Sequence, residues 1–228
     1  MIKIEKTHVD GWVSAIRGMR NPMNSWEQSD SGFGCVSTNR VCDDCDFDYN
    51  WCGNPPKYLI GGKDLALMKN LVKAGTDHSK FMRMITVTCD ITAPLYWWKE
   101  FDTYKVGTVR NSCSTMHKIH SKEFELDDFS YEHLNEDVVE QPLQKVIDCL
   151  NFFRELYLQN KDKSDWWQMI QLLPSSYNQK ATVQMNYAVI RNMYHSRKTH
   201  KLDEWSIGFC NWVKTLPYSE LITGGNDE

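Results

Sequence analysis

No stretch of this chain approaches the ~18 to 20 apolar residues of a membrane-spanning helix. The opening residues MIKIEKTHVDGWVSAI carry charges throughout, where a secretory signal would have an apolar centre. A cytoplasmic protein is therefore expected, in a compartment that keeps thiols reduced. Long runs of Lys or Arg are also missing. With a net charge of -4 there is no basic face to attract nucleic acid. Internal repeats are absent too. What is present suits one well-cored domain over residues 1–228: 41% hydrophobic residues balance 25% charged ones. The 9 Trp suit flat ligands, but equally a large core or an oligomer interface.

The most informative stretch runs from Met84 to His120. Ile85, Val87, Cys89 and Ile91 alternate with Thr86, Thr88, Asp90 and Thr92, the period of an inner, half-buried strand. Pro94 breaks the pattern and suits the first turn of a helix, in which Leu95, Trp98 and Phe101 form the apolar face and Lys99, Glu100 and Asp102 the polar one. Gly107 is expected to end that helix. Beyond it, VRNSCSTMHKIH crowds hydroxyl, amide, thiol, imidazole and ammonium groups into a dozen residues. A binding site explains that density, although a polar surface loop would look similar. Adjacent Trp97 and Trp98 point to different sides of a helix, so one of them is expected to be exposed or covered by a second copy of the chain.

Upstream, residues 2–20 read as a short strand and a helix. The segment 21–58 reads as an irregular insertion rich in Asn, Ser, Asp, Gly and Pro. It carries Cys35, Cys42, Cys45 and Cys52, spaced C-x6-C-x2-C-x6-C. Four such thiols can close on Zn²⁺ and staple a stretch that has little core of its own; four free thiols are the alternative. Gly61 to Gly75 reads as a helix with Leu65, Met68, Leu71 and Val72 inward. Downstream come an acidic irregular stretch, a long helix from about Asp137 to Leu158, and a short one halted by Pro174. Two more are expected over Gln179 to Ser196 and Leu202 to Thr215. These elements describe an α/β (α+β) domain with a central mixed sheet flanked by helices.

From about Gly61 to Trp205 the chain resembles the flavin-dependent thymidylate synthases of the ThyX type. AGTDHSKFMRMITVTCDITAP is similar to that family's helix end, histidine and strand, with His78 and Thr88 in the places of flavin-contacting residues. PLYWWKEFDTYKVGTVRNSCSTMH is placed and sized like the signature R-H-R-x-x-S-x-N-E-x-S-x-R-Y. LPSSYNQKATVQMNYAVIRNMYHSR resembles the segment where Leu-Pro and a tyrosine precede a helix carrying asparagines and an arginine; allowing one inserted residue, Asn186, Asn192 and Arg197 take those places.

The signature itself is rewritten. Arg-His-Arg becomes Thr103, Tyr104 and Lys105. Without a gap, the family's Asn-Glu becomes Arg110 and Asn111, and its serine becomes Cys113. A shift of one residue restores Asn111 and Ser114 but puts Ser112 in the place of the acid. The resemblance implies a homotetramer that binds FAD and a pyrimidine nucleotide. It implies methylation of dUMP to dTMP with methylenetetrahydrofolate as carbon donor and NADPH as reductant. On this reading Tyr104, Lys105, Cys113 and Ser114 serve the chemistry. His78, Thr88, Asn186 and Asn192 hold the flavin; Lys99, Glu100, Arg110, Asn111 and Arg197 hold the nucleotide. A thiolate at Cys113 would be a nucleophile, although a lone Cys is more often a small buried hydrophobe. Action on another pyrimidine nucleotide, or nucleotide binding without catalysis, are the alternatives.

Overall fold

The computed structural model describes residues 2–35, 40–41 and 57–224. The first half contains β1 (Lys3–Asp10), α1 (Trp12–Arg20), β2 (Gly32–Cys35), β3 (Arg40–Val41), β4 (Lys57–Leu59), α2 (Gly62–Lys73), β5 (Thr86–Pro94), α3 (Leu95–Phe101) and β6 (Thr108–Ser112). The second half contains α4 (Glu136–Val138), α5 (Gln144–Asn160), α6 (Lys163–Leu172), β7 (Asn178–Asn186), α7 (Tyr187–Arg197), α8 (Cys210–Lys214) and α9 (Glu220–Thr223). The α+β class holds. The central sheet has the order β1-β5-β7-β6, with every pairing antiparallel where a mixed sheet was expected.

β5 is the inner strand its alternation predicts. Val87, Cys89, Ile91 and Ala93 are buried on one face, while Thr86, Thr88, Asp90 and Thr92 are half-buried on the other. Its partner β7 corrects the reading of one helix over Gln179 to Ser196. Gln179, Ala181, Val183 and Met185 alternate inward against Lys180, Thr182, Gln184 and Asn186, and only from Tyr187 does the chain turn helical. That period of two was legible in QKATVQMN but is masked by the strongly helical stretch after it. Likewise, Thr108–Ser112, in the stretch read as a binding site with a polar loop as the alternative, is the edge strand β6, and α3 ends at Phe101, well before Gly107.

Three further readings need correction. The insertion is not irregular throughout: β2 pairs with both β3 and β4 in a three-stranded sheet. The long helix begins as a π-helical turn over Val139–Leu143, where Pro142 cannot donate an amide hydrogen. Most consequential, Trp97 and Trp98 are both buried, 0% and 2% exposed. A layer from the C-terminal third reaches α3: Trp205 stacks on Trp97 at 4.4 Å, and Phe101 also stacks on Trp97, at 5.3 Å. Trp98 faces the sheet instead and donates to the Gln179 carbonyl at 2.9 Å. The tandem tryptophans therefore leave no aromatic face for a subunit contact.

The core splits in two. The larger part lies between the inner face of the sheet and α1, α2, α3, α7 and α8. A smaller part around Ile119, Phe124, Ile147, Leu150 and Met169 backs the α5–α6 pair. Among the described residues, no helix is long and apolar enough to cross a membrane.

The joint between β1 and α1 depends on Gly11. Its φ is 94°, and a Cβ there would lie 1.9 Å from the Met84 carbonyl oxygen, which belongs to backbone and cannot swing away. Gly11→Ala is expected to lower stability by about 1–3 kcal/mol, the scale of one strained residue. Urea denaturation of the two proteins at equal m-value checks it.

Candidate functional site

α3, the turn after it, β6 and α7 bring a set of the resemblance-derived residues together. Arg197, in the last turn of α7, is the centre of the group. Its Nη2 lies 2.8 Å from Glu100 Oε2 on α3, and its Nε donates to the Tyr104 hydroxyl at 2.8 Å. The guanidinium also lies 5.4 Å from the Tyr104 ring centre and 5.3 Å from that of Trp205, a cation over two aromatic faces. Glu100, Tyr104 and Arg197 thus form one cluster, although Tyr104 and Arg197 are 93 residues apart in sequence. Lys99 and Lys105 flank it on the surface, both exposed.

Asn186 closes β7 and starts α7. Its side-chain oxygen accepts from the Val189 amide at 2.9 Å, the N-cap bond that satisfies an otherwise orphan donor. Gly107 packs against the other end of that carboxamide: φ is 83° there, and a Cβ would lie 2.7 Å from Asn186 Nδ2. The backbone of the 102–107 turn therefore approaches Asn186 more closely than any residue with a side chain allows. Thr88 and Gln184 are register partners, as are Thr86 and Asn186. These four side chains share the sheet face turned away from the core and give it a row of hydroxyl and amide groups. Asn111 and Asp90 flank Thr182 on the same face. Asp90 accepts from Thr182 at 2.7 Å and lies 3.3 Å from both Lys6 and Lys180. The hydrogen bonds from Thr182 and Lys180 hold its carboxyl below the ordinary value.

Arg110 is occupied differently. It points to the core side of the sheet and grips both oxygens of Asp102 at 2.8 Å. It also donates to Gln179 Oε1 and lies 4.0 Å from the Trp98 ring centre. Gln179 in turn donates to the Cys113 carbonyl at 2.7 Å. This chain locks β6, β7 and α3 to one another. Neither Asp102 nor Gln179 was picked out from the sequence; Gln179 would have been, had the alternation of β7 been followed to its start.

The remaining expected residues lie apart. Ser114 is exposed and turns back on itself, its Oγ accepting from the amides of Met116 and His117 at 3.2 and 3.0 Å. Cys113 is exposed at the end of β6. His78 is exposed in the turn after α2, and Asn192 is exposed on α7. Of the four clustered cysteines only Cys35, on β2, falls among the described residues; Cys42, Cys45 and Cys52 lie outside them. Among the described residues no group of His, Cys, Asp and Glu is arranged to hold a metal ion.

Cys89 is buried on β5, whereas Cys113, just after β6, is exposed. Burial, with Asp90 beside it, pushes the Cys89 thiol up to about 12. At pH 8 only roughly one Cys89 in ten thousand would be thiolate. Iodoacetamide at that pH is expected to label Cys113 and to spare Cys89 in the native protein; peptide mapping by mass spectrometry checks it.

No protein-family model matches the chain, and no curated protein matches its sequence. Its fold does match solved structures. One is the flavin-dependent thymidylate synthase ThyX from Helicobacter pylori complexed with FAD and dUMP, with a TM-score of 0.66 at 17% identity, covering 97% of this chain and 98% of that one. A second structure of the Helicobacter pylori enzyme with FAD and dUMP gives 0.64 at 16% identity, covering both chains in full. At such identity the likeness establishes one thing: the chain has a ThyX-like fold along essentially its whole length.

Proposed function

We propose that this protein is a flavin-dependent enzyme of pyrimidine nucleotide metabolism whose reaction is the reductive methylation of dUMP to dTMP. The observation that carries the reading is the convergence of Glu100, Tyr104 and Arg197 beside the Gly107–Asn186 contact. It supports the reading because it occurs on a fold whose solved examples hold FAD and dUMP. For a flavin the proposed donors are Thr88, Asn186, Asn192 and His78, which bring hydroxyl, amide and imidazole groups, with the exposed Lys105 as the cation for a pyrophosphate. Bound flavin would supply the electrons, drawn from NADPH, with methylenetetrahydrofolate as the carbon donor.

The chain's own residues have separate tasks on this reading. Arg197 and Lys99 hold the nucleotide phosphate. Glu100 orients the Arg197 fork while leaving the rest of its donors available. Asn111 and Ser114 serve the nucleotide side, Arg110 braces β6 from the core side, and Tyr104 offers a hydroxyl already polarised by Arg197. Cys113 is the candidate nucleophile. The functional unit is a homotetramer, whose contacts use the polar open face of the sheet and exposed Val109 instead of the buried tryptophans. Zinc at Cys35, Cys42, Cys45 and Cys52 is proposed as a staple of the insertion only.

One observation favours a second reading. Arg110 spends Nη1 on Asp102 and Nη2 on Gln179 and lies over the Trp98 ring, so the rewritten signature devotes its arginine to the scaffold. That suits the same scaffold acting on a different pyrimidine nucleotide, or binding one without catalysis. Release of tritium from C5 of labelled dUMP, on adding methylenetetrahydrofolate and NADPH to the FAD-loaded protein, distinguishes them. Methylation at C5 must expel that hydrogen. Flavin and nucleotide binding without release would establish the second reading.

A further inference from the structure

The geometry points to a second anion site, between the 116–120 turn and the α5–α6 junction, that takes a phosphate or carboxylate carried on a flat ring. A cavity of about 380 Å³ opens there. Its polar lining consists of His117, His120, Lys161 and Lys163, and its flat walls are Tyr157 and Trp166. No carboxylate lines it. Asp162, between the two lysines, is turned away: its Oδ1 accepts from the Ser164 amide at 2.8 Å and caps α6.

Three observations make this more than a patch of surface lysines. First, Lys118, Arg154, Lys161 and Lys163 have no carboxylate partner among the described residues, in a chain whose net charge is -4. Like charges gathered without counter-charges repel one another, and an anion relieves them. Second, His120 Nδ1 is buried without a hydrogen-bond partner, an orphan of the kind that a ligand or water satisfies. Burial, with Lys161, Lys118 and Arg154 around it, holds this imidazole below its ordinary value. Third, the walls are positioned by specific contacts. Trp166 Nε1 donates to the Met116 carbonyl at 3.1 Å, and Arg154 Nε donates to the His120 carbonyl at 3.1 Å. Lys161 takes a left-handed backbone, φ 58°, that ends α5 and sets its ammonium 5.4 Å from the Tyr157 ring centre. A cation resting on an aromatic face beside an unpaired imidazole is arranged for a charged ligand with a flat body.

The inference does not depend on the flavin reading and is tested without flavin. Phenyl phosphate, inorganic phosphate, benzoate and benzyl alcohol are titrated into the full-length protein by calorimetry, with the His120 imidazole followed by NMR. Phenyl phosphate is expected to bind at least ~10-fold tighter than inorganic phosphate, and benzyl alcohol not to bind; the comparison with benzoate decides between a phosphate and a carboxylate ligand. The double variant Lys161→Gln, Lys163→Gln should lose at least ~10-fold in phenyl phosphate affinity, the scale of one lost charged hydrogen bond. Trp166→Leu should lose the preference for the ring while retaining inorganic phosphate. Both lysines are exposed, so the double variant should keep its circular dichroism. Arg197→Ala should bind phenyl phosphate unchanged, which separates this site from the nucleotide cluster. Equal affinity of the wild type and the lysine double variant, or no shift of His120 at saturation, would overturn the assignment.

Discussion

Replacing Asp64 with alanine is expected to cost about 3–5 kcal/mol of stability, the penalty for leaving a buried charge without its partner. Asp64 and Arg20 are 0% and 4% exposed, and Arg20 Nη2 meets Asp64 Oδ1 at 2.6 Å. The hydroxyls of Ser29 and Ser31 each donate to Asp64 Oδ2 at 2.6 Å. Arg20 Nη1 donates to the Ser25 carbonyl and Nη2 also to the Gln28 carbonyl, both at 3.1 Å. One ion pair thus ties α1, α2 and the start of the insertion together. Without the carboxylate, Arg20 stays buried and charged, and two serine hydroxyls lose their acceptor.

For a chain of this size the loss corresponds to a fall in melting temperature of roughly 6–20 °C. The sign with pH follows from the carboxyl's environment. Burial opposes its charge, but the hydrogen bonds from Ser29, Ser31 and Arg20 outweigh that and hold Asp64 below its ordinary value. The contribution is therefore complete above an unfolded carboxylate's pKa of ~4 and disappears as the pH falls through the lower, folded value. Melting curves of wild type and Asp64→Ala should differ fully at pH 7 and converge in acid. A gap that widened in acid would refute the assignment.

Arg197→Ala is the second large effect. Removing the guanidinium deletes both the Glu100 pair and the bond to Tyr104. Glu100 is 41% exposed and can turn to water, so the fold should lose little. Nucleotide binding should weaken by ~1.5 to 3 kcal/mol, the range for a lost charged hydrogen bond, or roughly 10- to 150-fold. Arg197→Lys should recover only part of this, since an ammonium cannot span two oxygens. Calorimetric titration with dUMP against both variants measures it. Unchanged affinity in Arg197→Ala would remove Arg197 from the site.

How much of this was legible in the sequence depended on the range of the interactions involved. The alternation from Ile85 to Ile91 is local, and β5 follows from it directly. β7 has the same alternation but runs straight into α7, and a helical period read backward from Tyr187 hides it. The burial of both Trp97 and Trp98 was not legible at all. It depends on Trp205, more than a hundred positions away, forming a second layer that helix geometry alone does not reveal. The site divides the same way. Glu100, Tyr104, Asn186 and Arg197 were named singly through the family resemblance, but that Glu100 and Tyr104 share one guanidinium appears only in the fold. Arg110 looked like a phosphate ligand because a sequence shows its charge and hides Asp102 and Gln179, which engage it. Asp64 shows in the sequence only as an acid near a helix start, and its partners lie 33 to 44 residues away.

The central claim is that this scaffold takes a flavin and then a pyrimidine nucleotide. Titration of the purified protein with FAD and then dUMP, followed by flavin fluorescence and calorimetry, tests it most directly. Saturable, stoichiometric flavin binding followed by a dUMP heat that Arg197→Ala diminishes is the predicted result. An intact, folded protein that retains no flavin and gives no heat with either ligand would contradict it.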